Sequence, residues 1–150
     1  MNELQMTKMV QMIRPAVVDD DTATGIELDT YGWRWLRVDV IIGATDIAMT
    51  ALKLTESDTA GSGHADITGC IYGTSANDTG STSALPTSTD DGYIFSFELS
   101  LVGRKRYINI VATAGNGTTG VAMAALATLG KGEQMPRTAS SAGLRQRLSV

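Results

Sequence analysis

The stretch Tyr93–Tyr107, YIFSFELSLVGRKRY, constrains the fold more than any other part of the chain. It alternates strictly, with Tyr93, Phe95, Phe97, Leu99 and Leu101 on one face and Ile94, Ser96, Glu98 and Ser100 on the other. A period of two with one half-polar face is the pattern of a half-buried antiparallel strand. Both phenylalanines of the chain fall in it, so it is expected at the centre of the core. No residue in it forms a catalytic pattern. Function is therefore to be sought in how a β-domain meets its partners.

Other segments read the same way. In Trp33–Ile42 the cleaner core face carries Arg34, Leu36, Val38, Val40 and Ile42. Trp33 and Trp35 are left on the less buried side, where they need a covering loop or a partner. Thr50–Glu56 alternates again, with Leu52 and Leu54 inward and Lys53 and Thr55 outward. A short strand near Ile26 and Leu28, a strand at ITGCIY, and Tyr107–Ala112 and Val121–Leu129 complete the set. The last two flank TAGNGTTG, whose Asn116-Gly117 pair predicts a hairpin. Residues 57–66 and 73–92 are rich in turn formers, and a long polar loop on a compact scaffold has a task or is mobile. Short strands between turn signals, without βαβ alternation or an internal repeat, predict an all-β fold. The expected form is an antiparallel β-sandwich or jelly-roll-like barrel with extended N- and C-terminal arms. The division is an N-terminal arm over 1–18, a β-sandwich domain over 19–130 and an extended or disordered basic arm over 131–150.

A chain of 150 residues suits one domain, but only 5% of it is aromatic, so its core is thin in large side chains. Neighbouring subunits are expected to finish burying its apolar surface. Four of the seven methionines precede Pro15. Met6, Met9, Val10 and Ile13 share a helical stripe that Pro15 would end; Val10, Met12, Val17 and Val18 also allow an extended arm across a neighbour. Either form makes Met6, Met9, Val10 and Ile13 candidate subunit contacts. The net charge of −4 argues against a general nucleic-acid binder, and no direct nucleic-acid partner is expected. From Lys131 onward the balance is basic, and Arg137, Arg145 and Arg147 are expected to anchor the tail on an acidic surface. The run Arg104, Lys105, Arg106 is read as a contact for a carboxylate-rich neighbour or loop. No apolar run approaches the roughly 20 residues of a membrane span, and the polar, mixed-charge start is not a secretory signal, so a soluble protein made in a cytoplasm is expected.

The chemistry-bearing residues point away from an enzyme. His64, the single histidine, lies in the loop GSGHAD; Asp58 or Asp66 could complete a triad with a serine only if that loop were rigid, and a solvated side chain is expected. The single Cys70 excludes an internal disulfide and reads as a buried thiol. Asp19–Asp21 and Asp90–Asp91 lack the EF-hand spacing and read as strand-capping turns. Two tryptophans are a thin basis for a sugar-lined groove, and TAGNGTTG lacks the lysine of a phosphate loop. No catalytic residue, cofactor or metal is expected.

Three phrases carry a resemblance. Leu28–Asp29–Thr30 with Gly32 precedes a hydrophobic strand; Leu54–Thr55–Glu56–Ser57–Asp58 ends the next; Arg104–Lys105–Arg106–Tyr107–Ile108 opens a late one. In this order, over roughly residues 25 to 136, the chain resembles small virion proteins of tailed bacteriophages, encoded near the major capsid gene, that act as capsid decoration or cement proteins. It departs from them in a longer polar insertion before Tyr93. The resemblance implies a homo-oligomer, trimer or dimer, on the outer surface of the capsid with the major capsid protein as partner. Alternatives are a head–tail connector or tail component, and a carbohydrate- or receptor-binding β-sandwich that stacks ligand on Trp33 and Trp35.

Overall fold

The computed structural model describes residues 7–130 and 145–149. Among them are nine strands and no helix: β1 (Thr7–Val18), β2 (Leu28–Asp29), β3 (Trp35–Thr45), β4 (Met49–Ser57), β5 (Ala65–Ile71), β6 (Ile94–Ser100), β7 (Tyr107–Ala114), β8 (Val121–Gly130) and β9 (Gln146–Ser149). They form two sheets, ordered β1-β8-β3-β6-β9 and β2-β7-β4-β5. Every pairing is antiparallel except β6 with β9. The protein is a β-sandwich.

Alternation explains which side of each strand faces in. Leu36, Val38, Val40 and Ile42 of β3 are buried, as are Ile108, Ile110, Ala112 and Ala114 of β7 and Val121, Met123, Ala125, Ala127 and Leu129 of β8. Phe95 and Phe97 are fully buried, and the Tyr72 ring meets both edge-on, with centroids 5.5 and 5.1 Å away. Tyr72 follows β5 of the second sheet, so this aromatic trio joins the two layers. Its hydroxyl accepts a hydrogen bond from the Ser96 N–H and lies 2.8 Å from the Ser96 carbonyl and 3.1 Å from that of Gln146. One buried hydroxyl thus serves both β6 and β9. Its surroundings push its pKa well above the ordinary phenol range, mainly by desolvation.

Several expectations change. The N-terminal segment, expected as an arm over 1–18, is from Thr7 onward an edge strand paired with β8, and its Met12 and Ile13 are buried in the core. Register shifts between Gln11 and Ile13 and between Ile13 and Ala16 bend it, which is why a period-two pattern was hidden in the sequence. At the other end, 131–144 and 150 lie outside the described residues, while Gln146–Ser149 is a strand of the first sheet and not an arm. TAGNGTTG is not a hairpin, because β7 and β8 lie in different sheets. The polar face of β6 is buried as well: Ser96 is inaccessible and Glu98 only 1% exposed, with the Arg37 guanidinium 3.7 Å from the Glu98 carboxylate. Thr55, read as outward, is buried because β4 lies between β7 and β5.

The long loop from Gly73 to Gly92 is built into the body. Asn77 Oδ1 accepts from the Thr79 and Ser81 N–H groups, Met49 N–H donates to the Pro86 carbonyl, and Leu85 packs against the core. Truncating Phe97 to alanine removes one of the two rings that Tyr72 meets. Its expected cost is about 3–5 kcal/mol, seen as a lower urea midpoint at unchanged m.

Candidate functional site

The basic run is placed where β7 begins, beside β2. Leu28 pairs with Ile108 and Asp29 with Tyr107, so Arg106 emerges next to Asp29. The guanidinium donates from Nε and Nη2 to the two Asp29 oxygens at 2.9 and 2.8 Å. The same guanidinium lies over the Tyr31 ring at 4.9 Å and the Tyr107 ring at 5.1 Å from their centroids. Two-pronged bonding fixes its plane, and the rings shield its faces. The Thr30 hydroxyl donates to the Arg106 carbonyl at 2.6 Å and closes the corner from the backbone side. Arg104 faces Glu56 at 3.6 Å, and the Lys105 N–H donates to the same carboxylate at 3.3 Å.

Residues from all three phrases of the resemblance therefore meet at one corner of the second sheet, across β2, β7 and β4. Glu56 pairs with Ile108 and Ser57 with Tyr107. The reading of Arg104 and Arg106 as contacts for a carboxylate-rich loop holds within the chain, since Asp29 and Glu56 are those carboxylates. The Lys105 side chain remains exposed.

The corner has a consequence for pH. The hydrogen bonds from Arg106, with that from the Tyr31 N–H, hold the Asp29 carboxyl at about 2 against an ordinary 3.8. The folded chain therefore takes up this proton less readily than the unfolded chain. The clasp's contribution to stability is complete above 3.8 and is lost as pH falls from there through about 2. Asp29→Asn is expected to be less stable than wild type at neutral pH. The gap should close as pH falls from 3.8 to 2 in thermal melts, and narrow in high salt because the pair is exposed.

Several other titratable groups have structural partners. His64 is not solvated: its Nε2 lies 2.8 Å from the Glu27 carboxylate, while Asp66 pairs with Lys53 at 2.8 Å. No triad forms. The acidic turns cap backbone, with Asp19 accepting from the Gly117 N–H, Asp21 from Thr22, Asp90 from Thr87 and Asp91 from Thr45. The Asp46 carboxylate, which the sequence did not single out, accepts from the N–H groups of Thr118, Thr119 and Gly120 at 2.7, 2.8 and 3.0 Å. Those bonds, Thr119's foremost, lower its pKa, and they turn 115–120 from a hairpin into a crossing between sheets. Cys70 is buried, and desolvation pushes its thiol up to about 12. Among the described residues, no group of three or more His, Cys, Asp or Glu side chains is placed to hold a metal ion.

The two tryptophans, both partly exposed, have different surroundings. Trp33 packs against the core before β3 begins. Trp35 lies against Gly130, where a Cβ would come within 2.8 Å of the indole. Its Nε1 is buried without a hydrogen-bond partner among the described residues.

The remaining candidates lie at the edges of the first sheet. Met9 is 66% exposed, Val10 half-buried and Ile13 buried in its own core, which removes Ile13 as a subunit contact. Met6 and Arg137 lie outside the described residues. Arg145 lies 3.5 Å from Asp90 and over the Tyr93 ring, so it meets an acidic group of its own chain; Arg147 pairs with Ser96 along β9. Sequence reasoning missed a shallow apolar depression on the outer face of the first sheet, lined by Pro15, Val17, Ile41, Gly43, Ala122 and Ala124. Val17 is as exposed as Met9, and Ile41 is 40% exposed. The signal was present in outward positions filled by small or apolar residues on three strands, visible only once β1, β8 and β3 are known to be neighbours.

No family model and no curated protein matches the chain. Among solved structures it is similar to the crystal structure of SPBc2 prophage-derived protein YomS, at 15% identity and a TM-score of 0.46, over 82% of this chain and 91% of that one. A likeness this slight carries no function across.

Proposed function

We propose that the chain is a virion structural protein of a tailed bacteriophage, a decoration or cement protein that binds across major capsid protein subunits and stabilises the head. The observation that carries this reading is the apolar depression around Val17, Ile41, Ala122 and Ala124. A flat surface of small and apolar residues on a rigid sheet suits protein–protein contact. It offers little depth for a small ligand. The ordered phrases of the sequence favour the same reading. A cement protein needs a stiff body and modest contacts repeated by symmetry; it needs neither a perturbed acid nor a nucleophile. The acidic net charge and the in-chain use of Arg104, Arg106 and Arg145 favour a protein partner over nucleic acid.

Quantifying the protein in purified virions against the major capsid protein tests the assignment. A copy number comparable to the shell subunit's is expected. About a dozen copies or fewer would replace it with a connector or tail role, and absence from virions would remove it. On shells, Val17→Asp should reduce retention about tenfold, measured by pelleting with labelled protein, while the circular dichroism of the β-body stays unchanged.

A further inference from the structure

The first sheet ends on β1, whose only strand partner among the described residues is β8. An edge strand presents a row of unpaired backbone donors and acceptors, and native proteins blunt such edges with prolines, bulges or cover. β1 uses all three over its second half. Residues 25 and 26 cover it, with Ile13 bridged to Gly25 and the Ile26 N–H donating to the Met12 carbonyl. Register shifts follow Gln11 and Ile13, and Pro15 cannot donate. The stretch Thr7–Gln11 has no proline, bulge or bridging cover, and its one charge is Lys8. It is in continuous register with β8, and Thr7, Lys8, Met9 and Gln11 are exposed. The other edges are less suited, since β2 has two residues, β9 has four and β5 carries a register shift.

We propose that Thr7–Gln11 is a dimerisation edge, pairing antiparallel with the same stretch of a second copy across a two-fold axis through Met9. The side chains select both the occupant and the register. An axis at Met9 sets the two exposed methionines opposite each other, Lys8 opposite Val10 and Thr7 opposite Gln11. The only charged residues of β1 are Lys8 and Arg14. An axis at Gln11 would oppose Lys8 to Arg14, whereas the axis at Met9 opposes no like charges. Lys8 can lay its aliphatic stem along the half-buried Val10 of the partner while its ammonium reaches water. The five-stranded sheet becomes one sheet of twice the width, and the depression at Val17 and Ile41 stays clear of the pairing. This inference gives the subunit contact expected at Met9 and Val10 a partner strand and a register, and it does not require the capsid reading.

The test is cross-linking with sedimentation on the full chain. Met9→Cys should oxidise to a covalent dimer at least about tenfold faster than Gln11→Cys, because only residue 9 faces itself across the axis; an equal mixture of Thr7→Cys and Gln11→Cys chains should cross-link between copies. The buried Cys70 stays out of this chemistry. Met9→Lys places like charges opposite each other and should weaken the dimer about tenfold. Since Met9 is exposed, the variant should keep the wild-type β-sheet signal. A wild-type chain that sediments as a monomer at about 100 μM, well above the Kd of a specific dimer, overturns the proposal. So does a dimer that Met9→Lys leaves intact, or equal cross-linking rates at positions 9 and 11. None of these results bears on copy number in virions.

Discussion

The contact between Tyr72 and the two phenylalanines of β6 is the interaction on which the rest of the sandwich depends. With so few aromatic residues, the inner faces are completed by alanine, valine and leucine, which fill space but do not specify how the layers sit. Tyr72 does both. Its ring wedges against Phe95 and Phe97, and its buried hydroxyl is matched to backbone groups of β6 and β9. A buried polar group without partners would cost stability; with its partners it defines one arrangement of the chain. The parallel strand β9 lies where that hydroxyl can reach it.

Carboxylates do the corresponding work at the two ends. At one end Asp46 and Asp19 gather the N–H groups of residues 117–120 and carry the chain from the second sheet to the first. At the other, Asp29 and Glu56 receive the basic run and bind β2 to β7 and β4. Arg104, Arg106 and Arg145, which look available for a partner, each face a carboxylate of their own chain. On the outer face of the first sheet, by contrast, Val17, Ile41, Ala122 and Ala124 leave an apolar patch with no charge of its own.

What was legible in the sequence was whatever depends on neighbours two residues apart. The alternation of Leu36–Ile42, Phe95–Leu101 and Val121–Leu129 identified strands and their inner faces, because the pleat imposes that period locally. The choice of partner strand was not legible. Asn116-Gly117 has the chemistry of a tight turn, yet an aspartate some seventy positions earlier decides what that turn connects. β1 was misread because its bulges and Pro15 break the period, and His64 because Glu27 approaches it from a distant part of the chain. The three phrases were picked out as a set, and the fold gives a physical reason for their association: residues from each meet at one corner, where they hold structure together.

The strand order also dictates a sequence of events during synthesis. β1 is made early, but its strand partner β8 begins more than a hundred residues later. β3, at the middle of the first sheet, likewise waits for β6 and β8 on its two sides. Only β4 and β5 are consecutive strands that pair, so a growing chain can form one hairpin and little else of the sheets' pairing. A fold built this way from non-local pairs closes slowly and late. Until β8 emerges, the apolar face of the first strand has no cover in its own chain, and crowded nascent copies would find each other's edges before they find their own.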